Sequence, residues 1–237
     1  VGFLQDNLIP IFKKRELTFK ESYKESDNVH TFVFEKEKDI TWKAGQYGLF
    51  GITHKKIKNA TKPFSLASAP SENVIKISTI IREKPSEFKK ALLELQQGMK
   101  VNMSGPLGPF YLKDNSRTLL IAGGIGITPF RSILKQVEAE GTEVGNRIHL
   151  LYLDSQKSHL FKNEIDGIAD NTSMSITYLD SSDELHSELD KFIALNKDNG
   201  KYYVAGPKAM VGSITTYLQN KKVSKRNITK DSFFGYS

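Results

Sequence analysis

The stretch Ala122-Gly-Gly-Ile-Gly-Ile-Thr-Pro-Phe130 decides the reading of this chain. It is entered from Leu119 to Ala122, a short apolar run bounded by glycine, which reads as a buried strand. Gly123, Gly124 and Gly126 then let the backbone approach a ligand closely. A helix follows at once, with Thr128 as its N-cap and Pro129 at its first position. Exposed N–H groups and the positive end of the helix dipole at such a junction suit a pyrophosphate. Glycine turns after strands also serve purely structural ends, and it is the placement between strand and helix that points to a nucleotide.

Downstream, Tyr203-Val-Ala-Gly-Pro-Lys-Ala-Met210 repeats the arrangement. A buried strand, Tyr202 to Ala205, ends at Gly206-Pro207 and a helix begins, so a second loop ends at the carboxyl edge of the same sheet, where open α/β sheets bind ligands. On its own this turn reads as a tidy connection. Between and around the two motifs, strands at Ile148–Leu153 and Met174–Leu179 alternate with helices at Thr128–Glu140, His159–Ala169, Ser187–Leu195 and Lys208–Asn220. That alternation predicts a parallel sheet covered on both faces.

Upstream of Asn115 the grammar is different. Leu17–Tyr23, Val29–Glu35, Gln46–Thr53, Phe64–Ala69, Val74–Ile81 and Lys100–Ser104 are short runs rich in β-branched and aromatic residues between polar or Gly/Pro breaks. One helix interrupts them, with Phe88, Ala91, Leu92 and Leu95 at i, i+3, i+4 and i+7. Six strands and a helix predict a closed, all-β antiparallel barrel. The chain therefore divides near Lys113 to Arg117, and its 237 residues with 38% apolar content are ample for two packed cores.

Composition removes several classes of function. With no cysteine, disulfides, thiolate nucleophiles, iron–sulfur clusters and cysteine-ligated zinc are excluded from this chain. Redox chemistry here requires a bound organic cofactor. His30, His54, His149, His159 and His186 show no paired spacing for a metal, so none is expected. There is no G-x-S-x-G elbow, and the net charge of +7 comes with no nucleic-acid fingerprint. Short basic runs at Lys13–Arg15 and Lys221–Arg226 read either as solvated surface or as attraction to phosphates or an anionic membrane. Val1 to Phe12 is apolar and runs into the first basic cluster, which reads as a juxtamembrane segment on the cytoplasmic side or as an ordinary extension.

A third motif lies in the barrel half, Lys62-Pro-Phe-Ser-Leu-Ala-Ser-Ala-Pro70. Together with PSEFKKALLELQQGMKVNMSGPLGPF at 85–110, AGGIGITPF, YYVAGPKAM and the DSFFGYS end, it resembles the ferredoxin–NADP reductase superfamily, in the family's order and spacing and over nearly the whole chain after Leu17. Within it, Pro63-Phe64-Ser65 and the following Ser-Ala-Pro are similar to the dehydrogenase domain of NADPH oxidases and ferric reductases. The resemblance implies a juxtamembrane or linker segment over 1–15, an FAD-binding barrel over 16–114 and an NAD(P)H-binding α/β domain over 115–237. It implies transfer of hydride from NADPH or NADH to FAD, with electrons passing to haems of an upstream membrane domain of the same polypeptide and on to oxygen as superoxide. A soluble flavin or ferric reductase, or a reductase serving a partner protein, is the alternative. The reading with an upstream membrane domain places this segment at the cytoplasmic face of the membrane.

By the same resemblance Lys62 takes the cationic place on FAD, Pro63 and Phe64 pack on the flavin, Ser65 bonds near flavin N5, Thr79 lines the site and Ser86 meets the pyrophosphate. Gly123, Gly124, Gly126, Thr128 and Pro129 with Gly206, Pro207 and Met210 frame the nicotinamide nucleotide. Ser65, Thr128 and Phe234 stand closest to the reacting rings, with a terminal aromatic, Phe234 or its neighbours Phe233 and Tyr236, as a gate over the flavin face. Three departures matter. Lys62 stands where Arg or His is usual, Ala205 replaces the usual cysteine, and Asp154-Ser-Gln-Lys157 follows the strand where an Arg commonly meets the 2′-phosphate of NADPH. A mixed preference for the two nicotinamide nucleotides is the expectation.

Overall fold

In the computed structural model the described residues are 14–233, and they form two compact units that divide between Tyr111 and Leu112. The first carries strands β1 (Lys14–Lys24), β2 (Val29–Glu35), β3 (Tyr47–Ile52), β4 (Thr61–Ser65) and β5 (Val74–Ile80), helix α1 (Glu87–Leu93) and strand β6 (Lys100–Leu107). All six strands join one antiparallel sheet in the order β4-β3-β6-β1-β2-β5. Alternation turns Leu17 and Phe19 of β1, Phe32 and Phe34 of β2 and Ile75 and Ile77 of β5 into one core with Phe50, Met103 and the α1 residues Phe88 and Leu92. Its aromatic rings pack at tilted and edge-on angles, Phe19 on Phe34 at 5.8 Å and Phe34 on Phe50 at 5.7 Å.

One strand of the expected barrel has different bounds. The strand expected over Phe64–Ala69 stops at Ser65, and β4 and β5 share no ladder. The Ala67 N–H instead donates to the Lys76 carbonyl at 2.8 Å, and the Lys76 N–H donates to Ser68 Oγ at 3.0 Å. A hydroxyl thus takes the bond that a strand carbonyl would take, and closure runs through the loop 66–69.

The second unit alternates β7 (Thr118–Gly123), α2 (Ile127–Glu140), the single turn α3 (Thr142–Gly145), β8 (Ile148–Leu153), α4 (Lys162–Thr172), β9 (Ser175–Leu179), α5 (Ser182–Asn196), β10 (Lys201–Pro207), α6 (Lys208–Asn220) and β11 (Ile228–Phe233). The sheet is wholly parallel, in the order β11-β10-β7-β8-β9. The chain winds from β7 out to β9 and returns to the other side of β7, so the order reverses between β7 and β10. Leu119, Ile121, Leu151, Tyr202 and Val204 cover one face under α5 and α6.

Three elements differ from expectation. Helix α5 begins at Ser182 rather than Ser187, because Ser181 and Glu184 form a capping box: Ser181 Oγ accepts from the Glu184 N–H at 3.3 Å and the Glu184 carboxylate accepts from the Ser181 N–H at 3.3 Å. Helix α4 begins at Lys162 rather than His159, since the preceding loop is folded on Asp154. Strand β11 was not anticipated; its sequence ITKDSF is an edge strand, half-exposed and mixed in polarity. Among the described residues no helix is long and apolar enough to cross a membrane.

Candidate functional site

The two glycine loops meet where the strand order reverses. A Cβ placed on Gly126 would lie 2.3 Å from the Ala205 carbonyl oxygen and 2.6 Å from the Gly206 Cα, so the turn after β7 touches the end of β10 backbone to backbone. Gly206 returns the approach, its Cβ position lying 3.2 Å from the Gly123 carbonyl oxygen. Gly124 is the opposite case: with φ +51° it takes the left-handed conformation, and a Cβ there would meet nothing within 4 Å. The structure therefore brings Gly123, Gly124, Gly126, Gly206, Pro207 and Met210 together around one open cradle, which fits a nicotinamide nucleotide.

Thr128 is corrected. It is the second residue of α2, not its N-cap; the cap position is Gly126, and Thr128 Oγ1 donates back to the Ile125 carbonyl at 3.1 Å inside the fold. The turn Gly124–Gly126 is already helical, so the chain enters α2 earlier than Thr128. Pro129 becomes the third residue, where its missing N–H still costs no intrahelical bond.

The loop after β8 holds the two residues expected to choose between ribose and 2′-phosphate. Both Asp154 oxygens are engaged by their own loop: Oδ1 accepts from the Gln156 N–H at 3.0 Å, and Oδ2 accepts from Ser158 Oγ at 2.9 Å and the His159 N–H at 3.0 Å. Lys157 projects outward and pairs with Asp180 at 2.6 Å. Lys157, His159 and Phe161 all have positive φ, a crowded turn without glycine. Behind it, Arg131 of α2 makes a bidentate pair with Glu164 of α4, Nε at 2.7 Å and Nη2 at 2.5 Å, and its guanidinium lies 5.4 Å from the Phe161 ring. Sequence reading missed this buried arginine; a lone Arg one turn into a glycine-capped helix was its only signal.

In the first unit β4 runs beside β3, Lys62 opposite Phe50, Pro63 opposite Leu49 and Ser65 opposite Tyr47. Alternation sets Lys62 and Phe64 on one face and Pro63 and Ser65 on the other. Phe64 is half-buried, stacked on Phe88 at 5.7 Å and edge-on to Phe50 at 6.0 Å, while Lys62 is exposed and Ser65 buried. Thr79 is only 2% exposed and shares its face of β5 with the core residues Ile75 and Ile77. Ser86 caps α1, its Oγ accepting from the Lys89 N–H at 3.4 Å. Lys89 donates from Nζ to the Ile80 carbonyl at 2.7 Å, and burial together with the nearby Arg82 charge lowers its pKa below the ordinary lysine value. An anion here would offset both costs, so the start of α1 fits the phosphates of FAD; sequence reading named Ser86 and missed Arg82 and Lys89. Phe234 lies outside the described residues. Its neighbour Phe233 ends β11 opposite Pro207, beside the second glycine loop.

Residues 120–216 match the family "Oxidoreductase NAD-binding domain". The electron transfer component of toluate 1,2-dioxygenase from Pseudomonas putida is 26% identical over 187 residues, 73% of this chain and 54% of that protein. Ferredoxin-NADP+ reductase from Plasmodium falciparum, as an H286L mutant, superposes with a TM-score of 0.79 at 17% identity, over 96% of this chain and 99% of that one. The chain has the ferredoxin reductase-like fold. The flavohaem-like FAD/NAD binding domain of nitric oxide dioxygenase from Vibrio cholerae agrees, with a TM-score of 0.76 at 22% identity over 92% and 98% of the two chains. Within the reductase-like fold the glycine cradle lies inside the matched NAD-binding residues. The chain spans about half the length of the curated relatives it matches.

Proposed function

We propose that this chain is the reductase part of an electron-transfer system, taking a hydride from NADH or NADPH onto FAD and handing the electrons on to a partner. The cradle at Gly123–Gly126 and Gly206–Met210 carries the reading: two backbones in contact at the reversal of strand order, with Gly124 facing open space, admit a dinucleotide that any side chain would obstruct. When bound, FAD supplies the ring that accepts hydride and releases electrons one at a time. The protein's own residues bind and orient. The start of α2 faces the nicotinamide nucleotide's pyrophosphate, and Arg82, Ser86 and Lys89 hold the FAD phosphates. Ser65 is offered as the hydrogen-bond partner of the flavin ring and Lys62 as an outlying cation. None of these groups has to move a proton; they hold the reactants in place.

The likeness to an electron transfer component supports a partner protein as acceptor. A narrower reading, the dehydrogenase domain of an NADPH oxidase or ferric reductase at the cytoplasmic face of a membrane, is supported by the sequence Pro63-Phe64-Ser65 and Ser68-Ala69-Pro70. Mixing the protein with saturating FAD, NADH or NADPH and a dye acceptor tests the common core: dye reduction is expected, and its absence would leave only a nucleotide-binding module. The absorbance spectrum of the full-length protein separates the acceptors, haem bands supporting the oxidase and their absence the partner protein.

Two further outcomes follow from the geometry. Lys89→Met is expected to weaken FAD binding about tenfold, read by titrating apoprotein with FAD, because a cation beside a helix start is removed from a phosphate. Since Asp154 is tied to its own loop and Lys157 is the projecting cation, Lys157→Glu is expected to shift the NADPH-to-NADH ratio of kcat/KM about tenfold toward NADH. An unchanged ratio would remove Lys157 from cofactor choice.

A further inference from the structure

Met210 has a place that its role in framing the nucleotide does not explain. It stands in the first turn of α6, and its side chain reaches back across the crevice onto Gly123. A Cβ on Gly123 would lie 2.1 Å from Met210 Sδ and 2.9 Å from its Cε, so the thioether fills the space that the missing side chain leaves. The same Cβ position lies 3.4 Å from Pro207 Cδ. The thioether is therefore the packing that spaces the last residue of β7 from the loop after β10. It is also half-exposed, unlike Met103 and Met174, which are buried.

We propose that Met210 is an oxidation-sensitive positioning residue, whose conversion to the sulfoxide by a peroxide switches off nicotinamide-nucleotide binding. The inference rests on the nucleotide site proposed above. In the reaction the thioether sulfur attacks one peroxide oxygen, the O–O bond breaks, the sulfur is oxidised by two electrons to the sulfoxide, and the peroxide is reduced to water. The product is polar, bulkier and pyramidal at sulfur, and it replaces a soft apolar contact against the Gly123 backbone. Neither Gly123 nor Pro207 can retreat without moving a strand end, because Gly126 and Gly206 already touch the neighbouring backbone. The strain therefore falls on the cradle. With no cysteine in the chain, methionine is the readily oxidised sulfur available, and of the four methionines only Met99 shares partial exposure.

The test measures NADH and NADPH dissociation constants by calorimetry on holoprotein before and after mild hydrogen peroxide treatment, with the oxidised positions located by mass spectrometry. The untreated titration examines the parent reading by itself, since protein that binds neither nucleotide fails there. For the switch, treatment is expected to add one oxygen at Met210 and weaken nucleotide binding about tenfold, reversed by methionine sulfoxide reductases. The treated-to-untreated ratio should fall to about one in Met210→Leu, whatever its own starting affinity, and should stay high in Met99→Leu. Oxidation at Met210 without a change of affinity would overturn the proposal. So would a folded protein in which Met210 resists peroxide, or a loss of affinity that persists in Met210→Leu.

Discussion

Replacing Gly126 with alanine is expected to lower stability by about 3 kcal/mol and to weaken nicotinamide-nucleotide binding at least about 100-fold, the larger of the effects foreseen at the cradle. The new Cβ would stand 2.3 Å from the Ala205 carbonyl oxygen and 2.6 Å from the Gly206 Cα. Neither is the tip of a flexible side chain, so relief requires β10 to move away from β7, which breaks their ladder at its ligand end. Gly124→Ala is the internal control for stability alone, since a methyl there would face the nucleotide and not the protein. It meets nothing within 4 Å, and its cost is the left-handed backbone alone, about 1 kcal/mol. Denaturant unfolding and NADH titration of both variants check the pair. If Gly126→Ala were as stable as Gly124→Ala and bound NADH like the unaltered protein, the contact between the two loops would not be what shapes the site.

The cradle could be read from sequence because glycine is informative twice, once as a turn former and once as an absence of bulk. AGGIGITPF and YVAGPKAM each announce a strand end and a helix start, and their meeting follows from the parallel order that the alternation implies. What stayed hidden depends on partners far apart in the chain. Arg131 and Glu164 are separated by 33 residues, and nothing in either local pattern says that they pair. Thr128 misled for a different reason: Thr-Pro is a strong cap signal, yet the glycine turn before it is already helical, and local geometry overrode the side-chain preference. Strand β11 was missed because an edge strand bonded on one side need not alternate. Asp154 carried the expected acidic character, but its oxygens serve the loop, a use that spacing alone cannot distinguish from contact with a ribose.

Glu164→Ala is expected to cost about 3 kcal/mol, more than Arg131→Leu, because the two ends of their pair are not equally buried. The Arg131 side chain is 6% exposed and that of Glu164 is 31% exposed. Removing the carboxylate leaves a guanidinium inside the α2–α4 interface without its bidentate partner, whereas removing the arginine leaves a carboxylate that water already reaches. Arg131→Leu should therefore cost about 1 to 2 kcal/mol, and combining it with Glu164→Leu should recover much of the loss seen with Glu164→Ala. Urea unfolding of the three proteins measures the order. The effect also reaches the site. Arg131 lies over Phe161, the left-handed residue that closes the Asp154–Phe161 loop, and that loop presents Lys157. A Glu164→Ala protein should lose discrimination between NADPH and NADH, while Met210 and the glycine contacts across β7 and β10 are untouched. Equal losses for Glu164→Ala and Arg131→Leu would mean that groups other than Glu164 are enough to hold the guanidinium in the interface, and that Phe161 rather than the ion pair holds the loop.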